Sequence, residues 1–171
     1  MIYVTGDKHR GFVLVESFCN YKDTTKEDIL VILGDVGINY VGGELDRELK
    51  AKLEQLPITL LCVHGNHECR PSNIETYKEV PFKGGVVYQE AEFPSLLFAK
   101  DGEVYDFGRK KAIILGGAYS VDKPRRLARG MKWWADEQPS DEIKAKVSQV
   151  LSDIDFTVDY VFSHTCPERV I

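Results

Sequence analysis

Two short, largely apolar runs, Ile29–Leu33 and Ile58–Val63, constrain this chain more than any other feature of it. Each is too short for a helix. A strand with one wet face alternates apolar and polar side chains, whereas a near-continuous apolar run marks a strand covered on both faces, as in a parallel sheet layered by helices. Between the two runs, residues 43–56 place Leu45, Leu49, Leu53 and Leu56 at steps of four, four and three with charges between them. That spacing predicts an amphipathic helix, which Pro57 ends. Met1–Thr5 reads as an earlier strand, and residues 11–20, with Phe12, Leu14, Val15 and Phe18, as an earlier helix. The order strand, helix, strand, helix, strand predicts parallel strands joined by right-handed crossovers.

From about Gly85 the pattern shifts to short strands over Val86–Tyr88, Leu96–Ala99, Val104–Phe107 and Ala112–Leu115. Asp101-Gly102 reads as a hairpin turn between two of them, so this half is expected to be antiparallel. An irregular basic and aromatic segment, residues 120–137, follows. Ser140 then opens a helix running to about Ile154, and Tyr160–Ser163 is a last strand ending at His164. No repeat, low-complexity tract or linker divides the chain, and its 171 residues suit a single domain.

Residue usage narrows the class. Apolar residues (43%) and charged residues (29%) are spread along the chain, the profile of a globular protein and not of a disordered one. A net charge of −5 argues against broad attraction to nucleic acid or to anionic membranes. No basic leader with a long apolar stretch opens the chain and no membrane span is visible, so a cytoplasmic location is expected. Cys19, Cys62, Cys69 and Cys166 form no Cys-x-x-Cys pair, which fits reduced thiols.

Parallel strands bring the loops at their C-terminal ends to one edge of a sheet, where open α/β proteins build their sites. The first strand delivers Asp7 and His9, the second Asp35, the third Asn66 and His67, and the last His164. Singly, such residues are ordinary turn formers or surface groups. Jointly, ligand-type side chains follow each of these strands, 28 residues from Asp7 to Asp35 and 31 from Asp35 to Asn66.

Asp7-Lys8-His9, Gly34-Asp35, Gly65-Asn66-His67-Glu68 and the isolated His164 resemble, in this order, the motifs of the calcineurin-like metallophosphoesterases, and the resemblance runs from Met1 to the end of the chain. It implies an α/β fold, a two-sheet sandwich flanked by helices in the αββα arrangement. It also implies hydrolysis of phosphomonoesters or phosphodiesters. By similarity Asp7 and His9 would hold a first metal, Asn66 and His164 a second, and Asp35 would bridge them. This mixture of carboxylate and imidazole suits two divalent ions such as manganese, iron, nickel or zinc, which can clamp a phosphoryl group and acidify a bridging water. His67 would be catalytic, neutralising the phosphate or protonating the leaving oxygen.

Two departures stand out. The family usually carries Gly after Asp-x-His, where this chain has Arg10. The family also closes its site with Gly-His-x-His, and no such string occurs in residues 1–171. The resemblance therefore implies a single domain incomplete at its C-terminal end, lacking the last strands, each metal about one ligand short and the chain itself weakly active or inactive. A sheet edge exposed in this way is expected to favour self-association.

The expected partner is a phosphate ester, with nucleic acid disfavoured by charge though not excluded as a substrate, and no membrane. Arg70, Arg125 and Arg126 are candidates for phosphate contacts, since Arg suits bidentate recognition, beside the bland reading of a solvated basic face. His64 is expected to have a structural or supporting role, and Trp133 and Trp134 to pack. Two other classes remain in view: an inactive metal- or phosphate-binding protein that keeps the fold, and a structural zinc module using Cys69 and Cys166 with imidazoles.

Overall fold

A computed structural model describes residues 1–166. Its larger sheet has six strands in the order β1 (Ile2–Thr5), β2 (Ile29–Ile32), β3 (Thr59–Cys62), β6 (Leu96–Ala99), β5 (Gly85–Glu90), β4 (Tyr77–Phe82). The first four of these run parallel, and β5 and β4 are antiparallel additions. A three-stranded sheet, β7 (Val104–Asp106), β8 (Lys111–Leu115) and β9 (Tyr160–Ser163), completes the pair. The helices are α1 (Val13–Lys22), α2 (Gly43–Glu54), α3 (Lys123–Ala128) and α4 (Asp141–Asp153). Among the described residues, none is long and apolar enough to cross a membrane.

The apolar runs are explained by burial on both faces. All four residues of β2 are buried, with Leu30 and Ile32 in the cluster under α1 and α2, and Ile29 and Val31 in a second cluster. β3 and the residue after it divide in the same way, Leu60 and Cys62 against Leu61 and Val63. The second cluster also holds Tyr105 from β7 and Ile114 from β8, so it is the seam between the two sheets. Parallel strands with both faces covered need no alternation. Helix faces were read less well: Val15, Cys19 and Leu53 are buried, but Leu14 and Leu45 are exposed.

The antiparallel expectation for the later half holds for β4–β5, β5–β6 and β7–β8, but not throughout. β6 pairs parallel with β3, and β8 pairs parallel with β9. Asp101-Gly102 closes no hairpin; it carries the chain from β6 in one sheet to β7 in the other, with Gly102 at φ +79°. β4, which periodicity did not predict, contains Pro81, tolerated because β4 lies at the edge of its sheet and its proline removes no central ladder bond. Ser140 caps α4 as expected, its hydroxyl accepting from Ile143 N at 3.3 Å. β1 and β9 each pair on one side only among the described residues, and Val4, Tyr160 and Val161 are exposed there.

Candidate metal centre

Asp35, directly after β2, holds the centre together. Its backbone carbonyl accepts from Lys8 N (3.1 Å) and His9 N (2.8 Å), fixing the loop after β1, and its Oδ1 accepts from His67 N (2.9 Å), fixing the loop after β3. It is 4% exposed. The motif glycines follow from this crowding. A Cβ on Gly65 would overlap the backbone nitrogen and Oδ1 of Asp35, and one on Gly34 would overlap the ring of His164.

The carboxylate of Asp35 divides between two groups of ligand-type atoms. Oδ2 lies 3.7 Å from His9 Nε2 and 3.5 Å from His67 Nδ1, while Oδ1 lies 3.6 Å from His164 Nε2. Asp7 spans the same pair of positions, Oδ2 at 3.8 Å from His9 Nε2 and Oδ1 at 3.7 Å from His164 Nδ1. His9, Asp35 and His67 each offer a ligand atom within 4.8 Å of the others.

His164 and Asn66 show what this arrangement fits. The carbonyl of Leu33 can only accept, so His164 Nδ1 donates to it at 2.7 Å, and in the neutral ring Nε2 keeps a lone pair. Asn66 Nδ2 donates to Ser120 Oγ (2.8 Å), and that hydroxyl in turn donates to Glu137 Oε2 (2.5 Å), which fixes the amide with its oxygen toward His164. With the ring neutral, Nε2 and the Asn66 oxygen are two acceptors 2.9 Å apart. Such a juxtaposition is unfavourable by itself and fits a shared cation, for which cis ligands at about 2.1 Å lie about 3 Å apart. The donor set of carboxylate, imidazole and amide oxygen suits a borderline or hard divalent ion.

A family model for calcineurin-like phosphoesterases matches residues 1–168. The chain belongs to the calcineurin-like phosphoesterase family. No curated protein matches its sequence. The family consists of hydrolases acting on phosphoric esters with the help of divalent metals, and the two-sheet fold flanked by helices is the one expected of a member.

All six of Asp7, His9, Asp35, Asn66, His67 and His164 meet at this edge. The three arginines are placed differently from one another. Arg70 is a correction: its guanidinium is buried, Nη1 donating to Asp101 Oδ2 (2.7 Å) and Nε to Asp136 O (2.7 Å), so it holds loops together. Arg126 is buried as well and donates to Lys132 O, although its side chain still lines a cleft of about 280 Å³ beside His9 and His67. Arg125 is exposed on α3. Cys69 and Cys166 join no metal-ligand group among the described residues.

Arg10 explains its own departure from the family pattern. It sits at φ +70°, a conformation glycine adopts freely, and offsets that strain with Nη1 bonded to Asp46 Oδ1 (2.5 Å) and Gly37 O (2.8 Å) and Nη2 to Leu45 O (3.0 Å). Sequence reasoning passed over three groups. Asp122, at the start of α3, brings Oδ1 to 3.5 Å from His67 Nε2, and nothing in the local sequence signals that approach. The Ser120–Glu137 pair orients Asn66. Glu68 is fully buried, accepts from Gly37 N (3.1 Å) and Gly65 N (3.0 Å), and burial pushes its carboxyl up to about 7. His64, buried with both ring nitrogens unpartnered, is held well below the usual imidazole range by burial and then by Arg70 and His164.

Proposed function

We propose that the chain hydrolyses phosphomonoesters or phosphodiesters at a two-metal centre, with Asp7 and His9 toward one ion, Asn66 and His164 toward the other, and Asp35 shared. The observation that carries this reading is the divided carboxylate of Asp35, one oxygen toward His9 and the other toward His164. Divalent cations held there supply charge to bind the phosphoryl oxygens and to acidify water. The residues supply the rest. Asp35 carries the shared negative charge. Leu33 O and the Ser120–Glu137 pair orient the His164 ring and the Asn66 amide. His67, between Asp35 and Asp122, stands at the cleft where it can give a proton to a leaving oxygen. Manganese is the metal we favour, and the cytoplasm the compartment.

A second reading has its own observation: His67 lies in the same ligand-atom group as His9 and Asp35 and would be a ligand. Elemental analysis and hydrolysis, measured together, separate the two. Asp35→Asn should lower metal content and abolish turnover. His67→Ala should keep the metal and lower turnover by about 10²–10⁴-fold if the imidazole acts on the proton. Loss of metal in His67→Ala would make it a ligand, and full activity in Asp35→Asn would sink the proposal.

A further inference from the structure

Two buried side chains close to the metal centre have no place in it. Among the described residues, both ring nitrogens of His64 and Nη2 of Arg70 lack a hydrogen-bonding partner, although the two residues are only 2% and 9% exposed. Native interiors rarely leave buried donors unmet. Both side chains line a cavity of about 160 Å³, together with Tyr88, Lys100, Asp101 and Lys146. It lies where the loops after β3 and β6 meet α4, and among the described residues its wall shares none with the cleft of His9 and His67.

The wall is rich in donors and poor in free acceptors. Arg70 Nη2 can only donate, and at least one ring nitrogen of His64 carries a hydrogen. Lys100 Nζ gives one of its three hydrogens to Glu79 (2.7 Å), while Lys146 Nζ gives one to Glu103 (2.7 Å) and approaches Asp101 O at 3.4 Å. Each ammonium keeps at least one more to give. Neither Glu79 nor Glu103 lines the cavity. The carboxylate that does is already engaged, Asp101 Oδ1 accepting from Gly116 N and Oδ2 from Arg70 Nη1, both at 2.7 Å. A ligand that presents acceptors in several directions suits such a wall, and a cation does not. The volume is that of about five waters, which admits an ion of a few heavy atoms and excludes a sugar or a base. We propose that the cavity between His64, Arg70, Lys100 and Lys146 binds a small oxyanion of the size of inorganic phosphate. The ion joins three segments, the loop after β3, the turn into β7 and α4, and it does so whether or not the chain hydrolyses esters.

Calorimetric titration of the full chain with inorganic phosphate, in chelator and at constant ionic strength, tests this site apart from the metal centre. Saturable binding is expected, weakened at least about tenfold in Lys100→Met and in His64→Phe, and unchanged in His67→Ala. Phosphate should also raise the denaturation midpoint of the parent, where chloride at equal ionic strength does not. Circular dichroism checks that the variants fold, and Lys100→Met, at a partly exposed position, decides the matter if His64→Phe does not. Absence of phosphate binding, an equal effect of chloride, or full affinity in Lys100→Met overturns the proposal. Binding lost in His67→Ala overturns it as well, because the ion then sits at the metal centre.

Discussion

Arg10 and Glu68 show how single residues hold the loops of this centre in place. At Arg10 two effects compete: φ +70° is strained for any side chain, while the guanidinium ties Asp46, itself 3% exposed, to the loop after β2. Arg10→Ala keeps the strain and loses the bonds, whereas Arg10→Gly loses the bonds and relieves the strain. Both variants should be less stable than the parent, with Gly above Ala by about 1 kcal/mol in urea unfolding; Ala equal to Gly would show that the backbone is not strained there. Glu68 behaves differently. Its folded carboxyl, raised to about 7 by burial, holds a proton that the unfolded chain releases near its ordinary 4.5. The resulting stabilisation is complete below about pH 4.5 and is lost as the pH rises through about 7, a change of about 3 kcal/mol. In chelator, stability of the parent should fall over that window relative to Glu68→Gln, and parallel pH profiles for the two would refute the assignment.

Among the elements, the joins between sheets matter as much as the strands. Asp101, in the turn from β6 to β7, accepts from Gly116 N after β8 (2.7 Å) and from Arg70 after β3 (2.7 Å). Three loops from two sheets therefore meet on one carboxylate, whose side chain is 8% exposed. Arg70→Ala leaves that charge without its cation and should cost about 3 kcal/mol. The loss should register in the denaturation midpoint, while the KM of the folded fraction for a phosphate ester stays near the parent value. A large rise in KM with unchanged stability would return Arg70 to the role in substrate binding first expected of it.

For the whole molecule, the residues proposed to hold metal are spread over both sheets: Asp7, His9, Asp35 and Asn66 follow the larger one, and His164 follows β9 of the smaller one. An ion bound across them couples the sheets. Manganese at about 100 times its Kd should stabilise the chain by about 2.7 kcal/mol, because it binds the folded state alone. His164→Ala should lose most of that gain in a thermal melt, since it takes away the contribution of the smaller sheet, and an undiminished gain would place the ion on the larger sheet only. Among the described residues β1 and β9 expose apolar side chains at edges paired on one side, so the molar mass in solution is expected to rise with protein concentration, and sedimentation would detect it.

The parallel half of the fold and the convergence of Asp7, His9, Asp35, Asn66 and His67 at one sheet edge were legible in the sequence for a physical reason. Strands buried on both faces need continuous apolar runs such as Ile29–Ile32, and residues at their C-terminal ends share one edge whatever the packing details. Why Gly34 and Gly65 must be glycine is tertiary, because the space beside His164 and Asp35 admits no side chain. Tertiary structure alone decided the rest. Pairing of β6 with β3 depends on contacts 36 residues apart in sequence, Leu60 with Leu96, and a turn such as Asp101-Gly102 looks the same whether it closes a hairpin or changes sheets. Whether Arg70 meets phosphate or Asp101, and whether His67 faces Asp122, depends on which distant loop arrives beside it, and charge carries no such address along the chain.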